Sequence, residues 1–457
     1  MLSRKFWISA ALLGVCVVFG GGGYPAPMAE LVTQLAALAC LCAWLFLVPP
    51  GAGPAPLDRW LLAGVGLVIA VPLVQLIPLP PAIWHSLPGR ALEVEALALV
   101  GQADSWRPIT VQPYRTLSSA LSLLAPLTLL FFVSRLSLSD RTRLLAVLAA
   151  TAGLASLVSA VQLSSGNANW LRFYSGPSQL GFGVGFFANR NAAAEFFNIA
   201  ILSLGAFVAI RRDLLQGTMR KAAAAAALLL LLASLLLTGS RTGMGLGVLA
   251  LIFVGSLFFD RVHLNRKFGL AAGGTLALAL VLAFALQDNL VVQKSFKRFD
   301  DFKDARPHIW EDTVYAIGQY WPVGSGMGTF VPVVEAAEQL EVVDATRPNR
   351  AHNDYLEFTL EAGIFGIAIF AALLIALAVR VTMVLRGGGS RLQRRHVIFA
   401  LGALTLLAIH SLVDYPLRSI TLASLCAMAI GMTARGRSGE AVENLEQSGR
   451  RRSAQPA

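Results

Sequence analysis

Charge is scarce in this chain. Of 457 residues only 14% are Asp, Glu, Lys or Arg, and the 26 acidic residues are outnumbered by 37 basic ones. So few charges cannot solvate the surface of a soluble protein of this size. With 56% apolar residues and a mean hydropathy of +0.65, the chain reads as a polytopic membrane protein embedded in the lipid bilayer. Cysteine is also sparse: Cys16, Cys40, Cys42 and Cys426 all fall inside apolar runs. That placement argues against a disulfide framework or a zinc site and makes them small core residues. A D-x-D motif is missing, Asp300-Asp301 being the nearest approach, so no metal and no cofactor is expected. Neither glycine-rich run, TGSRTGMGLG at 238–247 or GSGMG at 324–328, has the strand-then-helix setting or the Lys of a nucleotide-binding loop. The net charge of +11 sits in short clusters between apolar runs, where topology signals lie, and nucleic acid is discounted as a partner.

What is present is apolar sequence in lengths that suit a bilayer, which needs about 20 residues per helix. Twelve candidate spans lie near 6–23, 30–48, 60–79, 117–133, 144–163, 192–210, 222–239, 243–259, 268–286, 356–379, 397–413 and 418–433. The first follows MLSRK like a signal peptide, but it lacks a clear cleavage site and reads as a retained span. An even count puts both termini on one side, and most of the basic residues in short loops fall on that side, so both termini are expected in the cytoplasm. The fold class expected is all-α, with about 12 transmembrane helices. Residues 1–286 hold the first nine spans and outer loops 80–116 and 164–191. Residues 287–355 form a large outer loop, 356–434 the last three spans, and 435–457 a disordered cytoplasmic tail. Trp84 and Trp106 in the first outer loop read equally as interface anchors and as ligands, and His85 is read the same way.

The stretch HNDYLEFTLEAGIFG, residues 352–366, puts a titratable His at the mouth of the tenth span. Asp354, Glu357 and Glu361 lie at i, i+3 and i+7 on one helical face, where acids are costly in lipid and point to a wet cavity. Part of this reads as capping, with Asn353 or Asp354 as the N-cap and Glu357 three residues on. His352 caps nothing. Upstream, RPHIW opens a helix from about Pro307 to Tyr320. Ser240 and Arg241 stand where the seventh span emerges; Arg241 reads equally as an interfacial charge and as a ligand. Arg190 stands at a helix start, where a cation opposes the dipole. His410 and Asp414, at i and i+4, read as a buried structural pair, with Arg418 close by. Arginines grip phosphate oxygens bidentately, and a His takes a proton from a sugar hydroxyl, so Arg241, Arg306 and His352 make a coherent chemical set.

These residues also carry a family resemblance. FFANRNAAAEF before the sixth span, SRTG after the seventh, RPHIW followed by PVGSGMGTF, and HNDYLEFTLEAGIFG opening the tenth resemble, in order and spacing, the O-antigen ligase and O-antigen polymerase superfamily of bacterial inner-membrane glycosyltransferases. The resemblance implies a C-type glycosyltransferase architecture with a helical periplasmic lobe and a metal-free active site at the periplasmic face. It implies a polyprenyl-diphosphate-linked glycan, such as one on undecaprenyl diphosphate, as donor, and a glycan or lipid A core of lipopolysaccharide as acceptor. By the same resemblance His352 is the catalytic histidine, with Arg241 and Arg306 the catalytic arginines. Arg190, Ser240, Asn353, Asp354 and Glu357 are the expected substrate-binding residues, with Asp354 or Glu357 as partner of the His352 ring. Arg190 departs from the family pattern, which has a proline in Asn-Pro-Asn. The function expected is glycan transfer in surface polysaccharide biosynthesis, O-antigen or exopolysaccharide, as ligase or polymerase. Protein O-oligosaccharide transfer is the alternative within the superfamily. A polysaccharide or lipid flippase is the alternative outside it, and should show matched internal repeats, which the sequence lacks.

Overall fold

The computed structural model describes residues 3–23, 26–49, 59–165, 170–174, 181–258, 306–339, 347–386 and 390–434. The expected ninth span (268–286), residues 287–305 with Asp300-Asp301, and the tail 435–457 lie outside the described residues. In chain order the elements are α1 (Arg4–Phe19), α2 (Pro27–Leu47), α3 (Arg59–Gln75), β1 (Pro78–Leu79), α4 (Pro81–Trp84), α5 (Ala91–Leu99), β2 (Arg107–Pro108), α6 (Pro113–Ser122) and α7 (Leu124–Arg135). They continue as α8 (Leu138–Ser164), α9 (Arg190–Ile210), α10 (Thr218–Leu237), α11 (Arg241–Leu257), α12 (Arg306–Tyr320), α13 (Phe330–Ala337), α14 (Asp354–Arg386), α15 (Arg391–His410) and α16 (Ile420–Met432). Among the described residues seven helical segments are long and apolar enough to cross a membrane, α6 and α7 counting together as one (Pro113–Arg135), with α3, α11 and α16 shorter apolar helices. Every candidate span within the described residues falls on a helix, and the protein is an all-α membrane protein.

Local chemistry sets the helix starts. Ser3, Ser137, Ser240 and Ser390 each accept a hydrogen bond from a first-turn backbone N–H, and Pro27 and Pro113 occupy first helical positions. The bundle is built around α9. Its apolar window is 78% buried, against 17% for α2 and 22% for α10 and α14, which leaves those three to face lipid. Small residues let neighbours close in: a Cβ on Gly243 of α11 would stand 2.3 Å from the Ala194 Cβ of α9. The main core joins α1, α2, α7, α8, α9, α10, α11, α15 and α16. A second, smaller core gathers α12, α13 and the head of α14 around Phe330, Val334 and Leu360.

Two local expectations change. Trp84 is no interface anchor: it is fully buried, its Nε1 donating to the Ser105 carbonyl at 2.9 Å, because α4 folds back on the β1–β2 pair. Trp106 stays exposed. All four cysteines are free, but Cys42 is exposed on α2 rather than part of the core.

α14 is interrupted at Gly363, with φ 58° and ψ −143°. The break exposes carbonyls that the 322–328 loop uses: Ser325 N–H donates to Leu360 O and Gly326 N–H to Glu361 O, while Ile364 N–H donates back to Pro322 O. The glycine-rich run thus serves to dock the second core onto α14. A Cβ at 363 would meet Pro322 O at 2.1 Å in a backbone region open to glycine alone. Gly363→Ala is therefore expected to destabilise the protein by about 2 kcal/mol or more. Gly318→Ala, in α12 with open space at its Cβ, should be neutral or slightly stabilising. Thermal unfolding of both variants in detergent checks this; equal midpoints would count against the docking role.

Candidate active site

His352 is held in the left-handed region, φ 49°, which a non-glycine residue adopts only where its surroundings impose it. Its neighbours supply the constraint. Asn353 caps α14, its side-chain oxygen accepting from the backbone N–H of Tyr355 and Leu356 at 3.0 and 3.1 Å. Asp354 N–H donates to Ser411 O, and the Trp310 indole donates to Ala351 O at 2.9 Å. The His352 ring, one quarter exposed, turns away from α14 toward the turn between α15 and α16. There Nδ1 lies 3.2 Å from Asp414 Oδ1 and the ring meets Tyr415 edge-on at 4.9 Å. An ionised carboxylate only accepts, so Nδ1 carries the hydrogen and Nε2 is left for chemistry. Burial by itself pushes the Asp414 carboxyl up, but the hydrogen bond and charge of His352, with the charge of His410, outweigh it and hold Asp414 below the usual carboxylate range. Burial and the charge of Asp414 push the Tyr415 hydroxyl up to about 12, so it stays protonated.

The expected partners of the ring, Asp354 and Glu357, are committed elsewhere because both point back into the α14 packing. Asp354 Oδ2 accepts from Ser411 Oγ at 2.9 Å and Leu417 N–H at 3.1 Å. Glu357 accepts from Arg350 at 2.8 Å and Ala351 N–H at 3.0 Å, reaching past the cap residue that a capping box would serve. Arg418 ties the acids together, its guanidinium 2.7 Å from Glu361, 3.2 Å from Glu357 and 3.9 Å from Asp354, and stacked 4.3 Å from the Phe358 ring. Burial opposes the Arg418 charge, yet these three carboxylates raise its pKa above the ordinary arginine value.

The remaining expected residues sit at helix starts. Ser240 is buried, and its hydroxyl is spent on the Gly243 N–H as N-cap of α11, with Arg241 exposed beside it. Arg306 begins α12, one turn before the Trp310 that bonds Ala351. Arg190 begins α9 with its guanidinium 4.8 Å from the Phe182 ring and its Nη1 buried without a hydrogen bond. Next to it Asn189 donates to the Tyr415 hydroxyl at 3.1 Å, as Asn349 does at 3.3 Å. Tyr415 thus links the start of α9, the 347–352 segment and His352.

Sequence reasoning missed Glu195 and Arg350, and left His410 and Asp414 to pair with each other or with an opposing group. His410 does both: Nδ1 meets Glu195 at 3.0 Å and Nε2 faces Asp414 at 3.9 Å. An acid alone inside the apolar run of α9 was the available signal for Glu195. Arg350 had none, since surface arginines are common.

Beside this cluster a groove of about 820 Å³ runs between α3, α7, α14 and α16. Its walls are apolar, with Val68, Leu127, Phe370 and Ile430 among them. Its polar head carries Arg115, Arg347, Asn349, Arg350 and Arg418. Arg241 and Arg306 are not among its lining residues.

No curated protein matches the chain. A family model described as O-antigen ligase matches residues 226–371, less than half of the chain. The matched stretch begins within α10 and holds Arg241, the second core and the His352 turn together with the head of α14. That stretch, at the head of a lipid-sized groove in an all-α membrane bundle, is thus similar to the O-antigen ligase family.

Proposed function

We propose that the protein transfers a glycan from a polyprenyl diphosphate to an acceptor hydroxyl at the periplasmic face of the bacterial inner membrane, as a ligase or polymerase of surface polysaccharide. The groove carries this reading, because a long apolar slot open at a polar, arginine-bearing head suits an isoprenoid with a charged end. The polyprenyl tail lies among α3, α7, α14 and α16, and Arg115 adds positive charge at the mouth, where Arg347 is paired with Glu335 at 3.6 Å. Arg241 and Arg306 keep the diphosphate-binding roles that the resemblance gives them, stabilising charge on the departing phosphate.

In the transfer step the acceptor oxygen forms a bond to the anomeric carbon while the bond from that carbon to the phosphate oxygen breaks, its electron pair leaving with the diphosphate. The acceptor proton passes to His352 Nε2, and Nδ1–H keeps its hydrogen bond to Asp414, which compensates the new charge on the ring. A diphosphate departs without protonation, so the step needs neither a protein acid nor a metal. Arg350 and Arg418 neutralise the α14 acids and hold the turn that carries His352.

Deleting the gene and analysing the surface glycan separates the two forms of the activity. Loss of a polymerase leaves single repeats on the acceptor, and loss of a ligase leaves polymer stranded on the lipid carrier. An unchanged glycan profile would sink both.

A further inference from the structure

The transfer step makes no use of Glu195 and His410, although both are buried within the bundle. Glu195 projects from α9 among apolar side chains, a position an acid keeps only with a partner. That partner is His410 Nδ1 at 3.0 Å. The other ring nitrogen, Nε2, faces Asp414 Oδ2 at 3.9 Å, and the second Asp414 oxygen is 3.2 Å from His352 Nδ1. The four side chains form a line of alternating carboxylates and imidazoles from the core of the bundle to the partly exposed His352. Three atoms in it, Glu195 Oε1, His410 Nε2 and Asp414 Oδ2, take no direct hydrogen bond. His410 and Asp414 line a small cavity of about 10 Å³ that Asn189 and Tyr415 also border. That is room for one water with several polar neighbours.

We propose that Glu195 and His410 are positioning residues for the transfer reaction. With a hydrogen on each nitrogen, His410 sits between the two carboxylates, bonded to Glu195 directly and to Asp414 through one water. It thereby keeps Asp414 ionised and aimed at the Nδ1–H of His352. This rests on the reading of His352 as the base. No proton crosses the line: Nε2 of His352 receives the acceptor proton, and the line stabilises the resulting imidazolium. The ionisable groups facing His410 are Glu195 from α9, Asp414 from the turn after α15 and Asp354 from the head of α14. Tyr415 borders the same cavity.

The test is the pH profile of transfer by purified, detergent-solubilised protein. His410→Gln removes the cation beside Asp414, whose carboxyl is held low partly by that charge. Without it Asp414 takes up a proton at higher pH and stops accepting from His352, so the acid limb moves to higher pH. The maximal rate should fall about ten- to a hundred-fold, the scale of a lost charge-assisted hydrogen bond, with donor KM unchanged. Glu195→Gln, which preserves volume, should shift the limb the same way by less. Profiles that superpose on wild type after scaling overturn the proposal however low the rate. So does failure of both variants to fold, since the pair is then structural. His352→Asn in the same assay separates the two levels. If it still transfers, the base assignment fails; if it is inactive while the His410→Gln limb is unmoved, only this inference fails.

Discussion

His352→Ala is expected to lower glycan transfer by about a hundred- to ten-thousand-fold, the usual range for a lost general base. Donor affinity should be largely kept, because the ring's proposed substrate contact is with the acceptor and not the diphosphate. The backbone complicates the Ala variant, since a Cβ-bearing residue at φ 49° is strained without the contacts that hold His352 there. His352→Asn removes that ambiguity. Asn tolerates the left-handed region and still donates toward Asp414, yet has no basic nitrogen. Both variants should lose transfer alike when the purified protein is assayed in EDTA. Arg241→Ala should behave differently, weakening donor binding as well as turnover, and Lys should restore little of a bidentate grip. Near wild-type transfer by His352→Asn at every pH tried would move the active site away from the head of α14.

Arg418→Met carries the largest expected effect on stability. The guanidinium is 8% exposed and faces Asp354, Glu357 and Glu361, each fully buried. Removing one partner of a buried ion pair costs about 3–5 kcal/mol because the remaining charge is left unpaired. Three acids share this cation, with Arg350 in contact with Glu357. The variant is expected to lose its cooperative thermal transition in detergent or to unfold far earlier. Arg418→Lys should rescue poorly, since a single ammonium cannot span three carboxylates and also stack on Phe358. Arg418→Met combined with Glu361→Gln should recover part of the loss, because the second change removes one of the stranded charges. An unfolding temperature equal to wild type for Arg418→Met would show that the cluster is not what fixes the His352 turn.

The spans within the described residues were legible in the sequence because membrane helices are specified locally, by apolar length and, at the tenth span, by the cap residue Asn353. The head of α14 was legible too, since three acids spaced on one face of an apolar helix stand out. What could not be read was which partner each charge takes. Asp414 lies 62 residues from His352, and only the packing of the α15–α16 turn against the start of α14 brings them together. The same holds for the groove, which exists because α3 packs on α14 and leaves α7 and α16 across a gap. The Gly363 break was invisible because a lone glycine in an apolar helix is unremarkable until another segment is seen to bond there.

That break also divides two mechanical duties within one helix. The turns before Gly363 are bolted to Arg418, Ser411 and the 322–328 loop, whereas the turns after it are mostly lipid-facing and lean on α3. A membrane helix answers a thicker or thinner bilayer by tilting. With a glycine joint between the two parts, the long segment tilts with its surroundings while the short one keeps its place. Variation in membrane thickness is thereby spent on the far side of the joint from His352.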